Sequence, residues 1–515
     1  MNELAPLLAL SLLMAISMAI GVAANRATEK GGFLKGYFLG NRGLGSWSMA
    51  LTATVMSGGT FMGFPSLVYQ YGWVLALWIA SYMMVPLCTF AILGKRMGQL
   101  ARQTGAITLP ELLRERFQSP ALGMAASTLM IFILAFALVA QFKGGAIILQ
   151  KVLPGSPGAA WSVGGQSPEF MLGLAIFTFV VVTYTVYGGF LAAIWTDVFQ
   201  SVLMAIGVLI LLPLALWKSG GLGAATMAGV QAVGPGFAFA PGAERDFLPI
   251  GLAASFFCMW SIAGMGQPAT LVRLMAFRDT QTLRHAIFLL AVYNTLIYLP
   301  LVFIFVCARA ILPGLEKPDE VMPTLALTVA SPVVAGIILA APFGAVMATS
   351  SGFLVQISSA LVQDLYHRWI NPRASERTLK TISYWSILLI ALVAATGAVR
   401  SPKFLQAIIV FTGGSAACAF LFPCVMAAFW SRATARGATA SMLGGVLTVV
   451  ALYLWGFIQG VDPMMGEKGN FYPVYLGGIA PFVWGLLVSV VFGVLFSLSD
   501  TQPKRELVQR FFASE

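Results

Sequence analysis

Long apolar runs, separated by short polar segments, follow one another along the whole chain. Each run holds about 20 apolar residues, enough for an α-helix to cross roughly 30 Å of hydrocarbon. The runs are continuous and do not alternate between polar and apolar positions, which favours helices over the strands of a barrel. The pattern predicts an all-α integral membrane protein with about 13 transmembrane helices, at residues 5–24, 46–70, 73–94, 123–149, 169–187, 190–216, 247–270, 283–309, 331–364, 379–398, 404–428, 438–458 and 474–498.

The composition agrees with this pattern, because 59% of the 515 residues are hydrophobic and only 10% are charged. The net charge of +11 comes from basic residues scattered among the loops without a continuous stripe, so no nucleic-acid partner is predicted. Most lysines and arginines fall in alternate loops, and the positive-inside rule then places the N-terminus outside and the C-terminus in the cytoplasm. The sequence predicts a multi-pass protein of the cell membrane (the inner or plasma membrane), in contact with the lipid bilayer.

No enzymatic activity is predicted. The segments between the spans are too short to fold as a catalytic domain. The sequence shows no nucleophile–base pair, no set of metal ligands and no cofactor motif, so no cofactor is expected. Any chemistry is expected inside the helix bundle.

Two spans are interrupted by glycine and proline. The second span holds ATVMSGGTFMGFP (53–65), and the seventh holds SIAGMGQP (261–268). Five spans separate the two starts, an odd number, so the equivalent helices run in opposite directions through the membrane. This is typical of an inverted repeat of five helices plus five, with one unwound helix in each half, although glycines also simply allow close helix packing. The predicted units are 1–45 (an extra helix and a cytoplasmic loop), 46–217 (first repeat), 247–428 (second repeat), 437–498 (two extra helices) and 499–515 (cytoplasmic tail).

An unwound turn frees backbone carbonyls for a cation and N–H groups for an anionic or polar solute. Lys143 in span four pairs with a solute carboxylate or snorkels to the outer surface. Asp197 in span six serves an ion or a proton, or it caps the cytoplasmic end of the helix that follows Gly188 and Gly189. The remaining polar candidates for solute contacts near the two breaks are Ser57, Gly58, Thr60, Gln141, Trp260, Ser261 and Gln267.

Five segments resemble the sodium:solute symporter family. They are YFLGNRGLGSWSMALTATVMSGGTFMGFP, YGGFLAAIWTDVFQSVLM, GMGQPATLVRLMAF, VMATSSGFLVQISSALVQDLY and WSRATARGATASMLGG, and the similarity runs from about residue 37 to 445. Within the family the chain looks most similar to the sodium/pantothenate symporters, through YFLGNR, LTAT, QFKGG and LAAPFGAVMAT. Monocarboxylate and proline carriers are similar in the same segments. The resemblance implies a LeuT-like fold, a five-plus-five inverted repeat with helices 2 and 7 broken.

The resemblance also implies a sodium site between spans two and nine. Backbone carbonyls of Ala53, Met56 and Ala345 match the family's pattern, which completes the site with two hydroxyl side chains on span nine. These fall on Ala348 and Thr349, so the sequence departs from the pattern at the alanine. Ser350 or a water is the candidate replacement, although Ser350 is turned about 100° further round the helix. In the family the aspartate that matches Asp197 lies near the cation pathway. Because Ala348 weakens the hydroxyl pair, a proton carried by Asp197 is the main rival to Na⁺ as coupling ion.

The predicted function is sodium-coupled symport of a small carboxylate solute into the cell, with pantothenate as the leading solute. The alternatives are a proton-coupled or sodium-coupled carrier of a monocarboxylate or of proline. A solute-sensing membrane receptor is the alternative from a different class. The expected partners are the carboxylate solute, Na⁺ and the lipid bilayer, and the sequence gives no oligomeric state.

Overall fold

The computed structural model describes residues 4–28, 45–52, 57–154, 164–239, 248–400, 405–459 and 472–512. These residues form helices and no strand. In chain order the helices are α1 (Ala5–Thr28), α2 (Ser46–Thr52), α3 (Phe64–Tyr71), α4 (Ala76–Tyr82), α5 (Ile92–Thr104), α6 (Leu109–Phe117), α7 (Pro120–Val152), α8 (Pro168–Ser219), α9 (Leu222–Val233), α10 (Ile250–Ile262), α11 (Pro268–Ala276), α12 (Thr280–Ile311), α13 (Val321–Val329), α14 (Pro332–Ser359), α15 (Glu376–Val399), α16 (Leu405–Phe429), α17 (Ala435–Gln459), α18 (Pro481–Leu498) and α19 (Arg505–Phe512).

Among the described residues, 10 helical stretches are long and apolar enough to cross a membrane, or 11 when α10 and α11 are counted as one bent span. Two of the 10, Gly59–Thr104 and Pro168–Ser219, are 46 and 52 residues long. At 1.5 Å per residue each is more than twice the roughly 30 Å of a bilayer core. Gly72 and Gly189 lie inside them with φ of 70° and 56°, where the sequence places a boundary between two spans. The count of about 13 stays a prediction.

The seventh span is broken as predicted. α10 ends at Ile262, a 3-10 turn covers Ala263–Gly266, and α11 begins at Pro268 with a bend of 46°. Gln267 between them is extended (φ −81°, ψ 115°), because a residue before proline is driven out of the helical region. Gly266 is required here for a different reason, since a Cβ would lie 2.6 Å from the Cα of Ala417 in α16.

The second span is also irregular. α2 ends at Thr52, and the sequence candidates Ala53 and Met56 lie outside the described residues. The chain then makes a π-helical turn over Gly59–Gly63 and continues into α3. Pro65 explains this wide turn, because proline lacks an N–H and its ring clashes with the carbonyl four residues earlier.

α14 and α16 lie at the centre of the bundle. In each, 83% of the most apolar stretch is buried, against half or less in the other helices of membrane-spanning length. α14 packs on α1, α7 and α8, and α16 packs on α7, α17 and the break of span seven. α17 and α18 pack mainly on each other. The two interrupted spans therefore meet around the two most buried helices.

Candidate functional site

A cavity of about 170 Å³ lies where the two interrupted spans meet α7, α14 and α16. Span two contributes Ser57 and Thr60, and the break of span seven contributes Gln267. Gln141 reaches it from α7 and Trp260 from α10. Five of the solute candidates from the sequence are thus brought to one place, although they come from three separate spans of the chain.

The start of span two is held by side chains. The backbone N–H of Gly58 donates to Gln141 Oε1 at 2.6 Å, and the N–H of Thr60 donates to Ser57 Oγ at 3.2 Å. The packing is tight at Gly58, because a Cβ there would lie 3.0 Å from Val346 Cγ1. Gly58 and Gln141, two separate solute candidates in the sequence, therefore contact each other.

Stacked aromatic rings form one wall of the cavity. Trp260 stacks on Tyr82 at 5.3 Å, and Tyr82 stacks on Tyr298 at 4.3 Å. The hydroxyls of Tyr298 and Thr60 lie 3.2 Å apart, so the wall reaches the π turn of span two. The buried Nε1–H of Trp260 has no acceptor among the described residues. A buried donor of this kind favours binding of a solute acceptor.

Gln267 and Ser261 differ in their surroundings. Gln267 faces the cavity and donates from Nε2 to the carbonyl of Gly413 in α16 at 3.1 Å. Ser261 lies outside the cavity lining, and its hydroxyl donates to the carbonyl of Phe257 at 2.8 Å. The geometry supports Gln267 as a solute contact and gives Ser261 a bond within its own helix.

Thr349 and Ser350, neighbours in the polar run on α14, also differ in their surroundings. Thr349 lines the cavity beside Ala348, and its hydroxyl donates to the carbonyl of Ala345 at 3.1 Å. Ser350 is fully buried outside the lining, and its hydroxyl donates to Val346 at 2.7 Å. Thr349 is therefore the side-chain oxygen of this run that faces the cavity, while Ser350 faces the helix packing.

Asp197 is fully buried in α8, eight residues after Gly189, so the interpretation of it as a helix cap is wrong. Its Oδ2 accepts from Nη2 of Arg273 at 3.0 Å. Arg273 lies in α11, donates from Nε to Thr52 Oγ1 at 3.1 Å and lines the cavity. The predicted seventh span ends at residue 270, so hydropathy places Arg273 in the following loop and does not reveal this role. The only local signal was one arginine among apolar residues in LVRLMA.

Lys143 has an acidic partner from the protein. Its Nζ lies 3.1 Å from Asp319 Oδ2, and only 9% of the lysine side chain is exposed. The interpretation in which Lys143 snorkels to the surface is therefore wrong, because the ammonium is buried. The residue also lies outside the cavity lining, so the geometry does not support a direct contact with the solute.

A family model described as the sodium:solute symporter family matches residues 37–445. The chain belongs to this family. The symporter is 31% identical to a sodium/pantothenate symporter of Haemophilus influenzae, over 88% of this chain and 93% of the relative, and 32% identical to one of Escherichia coli, over 87% and 90%. It is also 28% identical to a sodium/proline symporter of Haemophilus influenzae, over 97% and 95%.

The symporter also matches a solved structure, a Na⁺-coupled sialic acid symporter in a substrate-bound outward-open state. The TM-score is 0.73 over 97% of this chain and 99% of the other, at 18% identity. At that identity the match shows the fold alone, and it confirms the LeuT-like, all-helical architecture. The symporter is thus a multi-pass membrane transporter that couples a solute to Na⁺, in agreement with its family and relatives.

Proposed function

We propose that this symporter carries a small carboxylate solute into the cell with Na⁺, and that the solute is pantothenate. The observation that carries this proposal is the identity of 31–32% to two sodium/pantothenate symporters over almost nine-tenths of the chain. The cavity suits a small polar solute with an apolar body, because apolar and aromatic side chains line it together with a few polar groups.

The solute binds between the breaks of spans two and seven. Gln267, Thr60 and Trp260 line the cavity and offer hydrogen-bond donors to hydroxyl, amide or carboxylate oxygens. Arg273 adds a positive charge at the wall, balanced by Asp197. Ser57, Gly58 and Gln141 hold the π turn in place and act through its geometry.

Na⁺ is bound between span two and α14. The ligands are the carbonyls of Ala53, Met56 and Ala345 and the hydroxyl of Thr349, all hard oxygen donors of the kind that suit Na⁺. Ala345 and Thr349 support this site because they lie one helical turn apart and bond to each other next to the cavity. Ser350 is left out of the site, because it faces away from the cavity.

Binding of Na⁺ ties span two to α14 and arranges the neighbouring π turn for the solute. By thermodynamic linkage the solute must raise the affinity for Na⁺ by the same factor. Rocking of the repeats around the site then exposes both to the cytoplasm. Because Na⁺ flows inward down its gradient, this movement carries the solute into the cell.

Transport into proteoliposomes tests the proposal. Labelled pantothenate, lactate and proline are offered under a sodium gradient, under a proton gradient and without a gradient. We expect pantothenate uptake that follows the sodium gradient. Uptake that ignores sodium and follows protons would overturn the coupling, and preferred proline uptake would favour the second candidate, which the proline symporter relatives support.

A single substitution tests the site. Trp260→Phe keeps an aromatic ring for stacking but removes the buried Nε1–H, so the KM for the solute should rise about tenfold. Phe256 stacks on Trp78 in the same aromatic wall but does not line the cavity, and Phe256→Leu is the matched control. An equal effect of both variants on KM would show that the wall acts only through packing.

A further inference from the structure

A buried ion pair joins α7 to the segment between α12 and α13. Lys143 and Asp319 expose only 9% and 6% of their side chains and lie 3.1 Å apart. A buried ion pair adds little net stability, because the loss of hydration opposes the attraction between the charges. Such pairs instead can specify one arrangement of the elements that they join.

The same carboxylate also holds the first residue of α16. Asp319 Oδ2 accepts from the backbone N–H of Leu405 at 3.0 Å. This N–H is one of those that a helix N-terminus leaves without an intrahelical acceptor, and a carboxylate there also interacts favourably with the helix dipole. Asp319 therefore links α7, through Lys143, to α16, through Leu405.

Both linked helices are walls of the solute cavity. α7 contributes Gln141, two residues before Lys143, and α16 contributes Ile409, one turn after Leu405. The helices approach closely at this level, since a Cβ at Gly144 would lie 3.3 Å from Leu405 Cδ1. The link through Asp319 thus fixes the separation of two cavity walls at one end of the cavity.

The cavity extends away from this link. Along α7 its lining runs from Gln141 back to Ile133, toward the end of the helix at Pro120, whereas Lys143 lies in the opposite direction. In the predicted orientation the end of α7 at Val152 faces outward. The link therefore lies on the outer side of a cavity that extends toward the cytoplasm.

We propose that Lys143 and Asp319 are positioning residues that clamp α7 to α16 and close the outer side of the solute cavity. The clamp must release before solute enters from outside, and it forms again behind the solute. This inference rests on the proposed function for the direction of transport and the identity of the solute. It adds a role in the transport cycle for a lysine that does not contact the solute.

A neighbouring ion pair provides a matched control. Lys151 Nζ lies 2.6 Å from Glu320 Oε2, so it joins the same helix to the same segment. Its lysine is more exposed, at 31%, and Glu320 makes no hydrogen bond to α16 among the described residues. Loss of this pair removes one lysine–carboxylate contact without releasing α16.

The test compares Lys143→Met, Asp319→Asn and Lys151→Met in proteoliposomes. Release of the clamp increases the fraction of symporter molecules in the outward-open conformation, which is the one that external Na⁺ enters. Because an apparent dissociation constant is the intrinsic one divided by the competent fraction, half-saturating external Na⁺ should fall about threefold in the first two variants. The maximal rate should fall as well, because closure is impaired, while Lys143→Arg and Lys151→Met should resemble the parent protein.

Other outcomes would overturn the proposal. If Lys143 contacts the solute, Lys143→Met raises the KM for the solute and leaves the half-saturating Na⁺ unchanged. An equal fall of the half-saturating Na⁺ in Lys151→Met would show that any loss of positive charge on α7 causes the effect, with no need for a clamp. If Lys143→Met does not fold, the double variant Lys143→Met/Asp319→Asn replaces it, since it leaves no unpaired charge and keeps an acceptor for Leu405.

A second measurement separates this inference from the proposed solute. The Tm of the purified protein is followed against NaCl, with choline chloride added to keep the ionic strength constant. A ligand that binds the folded state raises Tm, so the Na⁺ affinity is obtained without any solute. Tighter Na⁺ binding in Lys143→Met is expected even if pantothenate is not transported. If Na⁺ binding is unchanged, the clamp is contradicted and the proposed solute is not affected.

Discussion

One hydroxyl group supplies the proposed side-chain ligand of the sodium site. Thr349→Ala removes it and should raise the half-saturating Na⁺ for transport about tenfold, which corresponds to about 1.4 kcal/mol. Thr349→Ser keeps the oxygen and should change the value much less. The measurement is uptake against external Na⁺ at constant ionic strength. An equal effect of both variants would show that the methyl group matters and not the oxygen.

At Ala348, beside Thr349, a hydroxyl can be added to the proposed sodium site. Ala348 lies next to Thr349 on the cavity lining, where the family pattern has a hydroxyl. Ala348→Ser adds one oxygen with a small change in volume, so the half-saturating Na⁺ should fall about threefold. Ser350→Ala, on the side of α14 that faces away from the cavity, is the control and should leave this value unchanged. A rise in Ala348→Ser would place the ion elsewhere.

In the ion pair of Asp197 and Arg273, the carboxylate is fully buried and only 9% of the arginine side chain is exposed. Asp197→Asn leaves the guanidinium buried without its counter-charge and should lower the free energy of unfolding by about 3–5 kcal/mol. The double variant Asp197→Asn/Arg273→Gln should regain much of that loss, because no unpaired charge remains. Thermal unfolding in detergent measures both, and a double variant no more stable than the single one would contradict this account.

At the scale of the helix, the break of span seven depends on close contact with α16. Gly266→Ala would place a Cβ 2.6 Å from the backbone of Ala417 and 2.9 Å from that of Leu421, and neither can move without shifting the helix. We expect a loss of about 1–3 kcal/mol in stability and a larger loss of transport. Gly223→Ala in α9, where nothing lies within 4 Å, should be tolerated. A stable and active Gly266→Ala would contradict the tight packing.

The helices and their breaks could be predicted because their causes are local. Apolar length marks a span, and Gly-Pro clusters such as the one at Gly266 and Pro268 mark an interruption. Long-range contacts could not be predicted in the same way. Asp319 lies 176 residues from Lys143, and Arg273 lies 76 residues from Asp197. Hydropathy alone therefore placed Arg273 in a loop, since nothing nearby in the sequence reveals its counter-charge.

In the candidate site, too, local features could be predicted and long-range contacts could not. The sequence located the polar groups near the breaks, and most of them do line one cavity. It could not tell which of them face the solute and which hold the backbone, as Gln141 does for Gly58. Ser350 and Thr349 are neighbours on one helix whose hydroxyls face different sides, and that direction is set by packing against other helices.

At the scale of the whole molecule, two buried arginines join α5 and α6 to the distant end of α16. Arg116, fully buried, donates from Nε to the carbonyl of Ala427 at 3.1 Å, and Arg96 donates to Ala428 at 3.0 Å. These carbonyls belong to the last turn of α16, where a helix lacks donors and where its dipole favours cations. The ring of Phe511 in α19 covers Arg116 at 5.5 Å. α19, near the C-terminus, thus covers the contact of α5 and α6 with α16.

Phe511→Ala tests whether α19 stabilises this contact by covering Arg116. Phe511 is fully buried although it lies at the end of a short helix, so removal of its ring should lower the free energy of unfolding by about 3 kcal/mol. It also opens Arg116 to water, which weakens its hold on the last turn of α16. Gln509→Ala, on the exposed side of the same helix, should leave the Tm unchanged. If α19 were only a loosely attached tail, both variants would unfold at the temperature of the parent protein, and limited proteolysis would remove α19 from all three at the same rate.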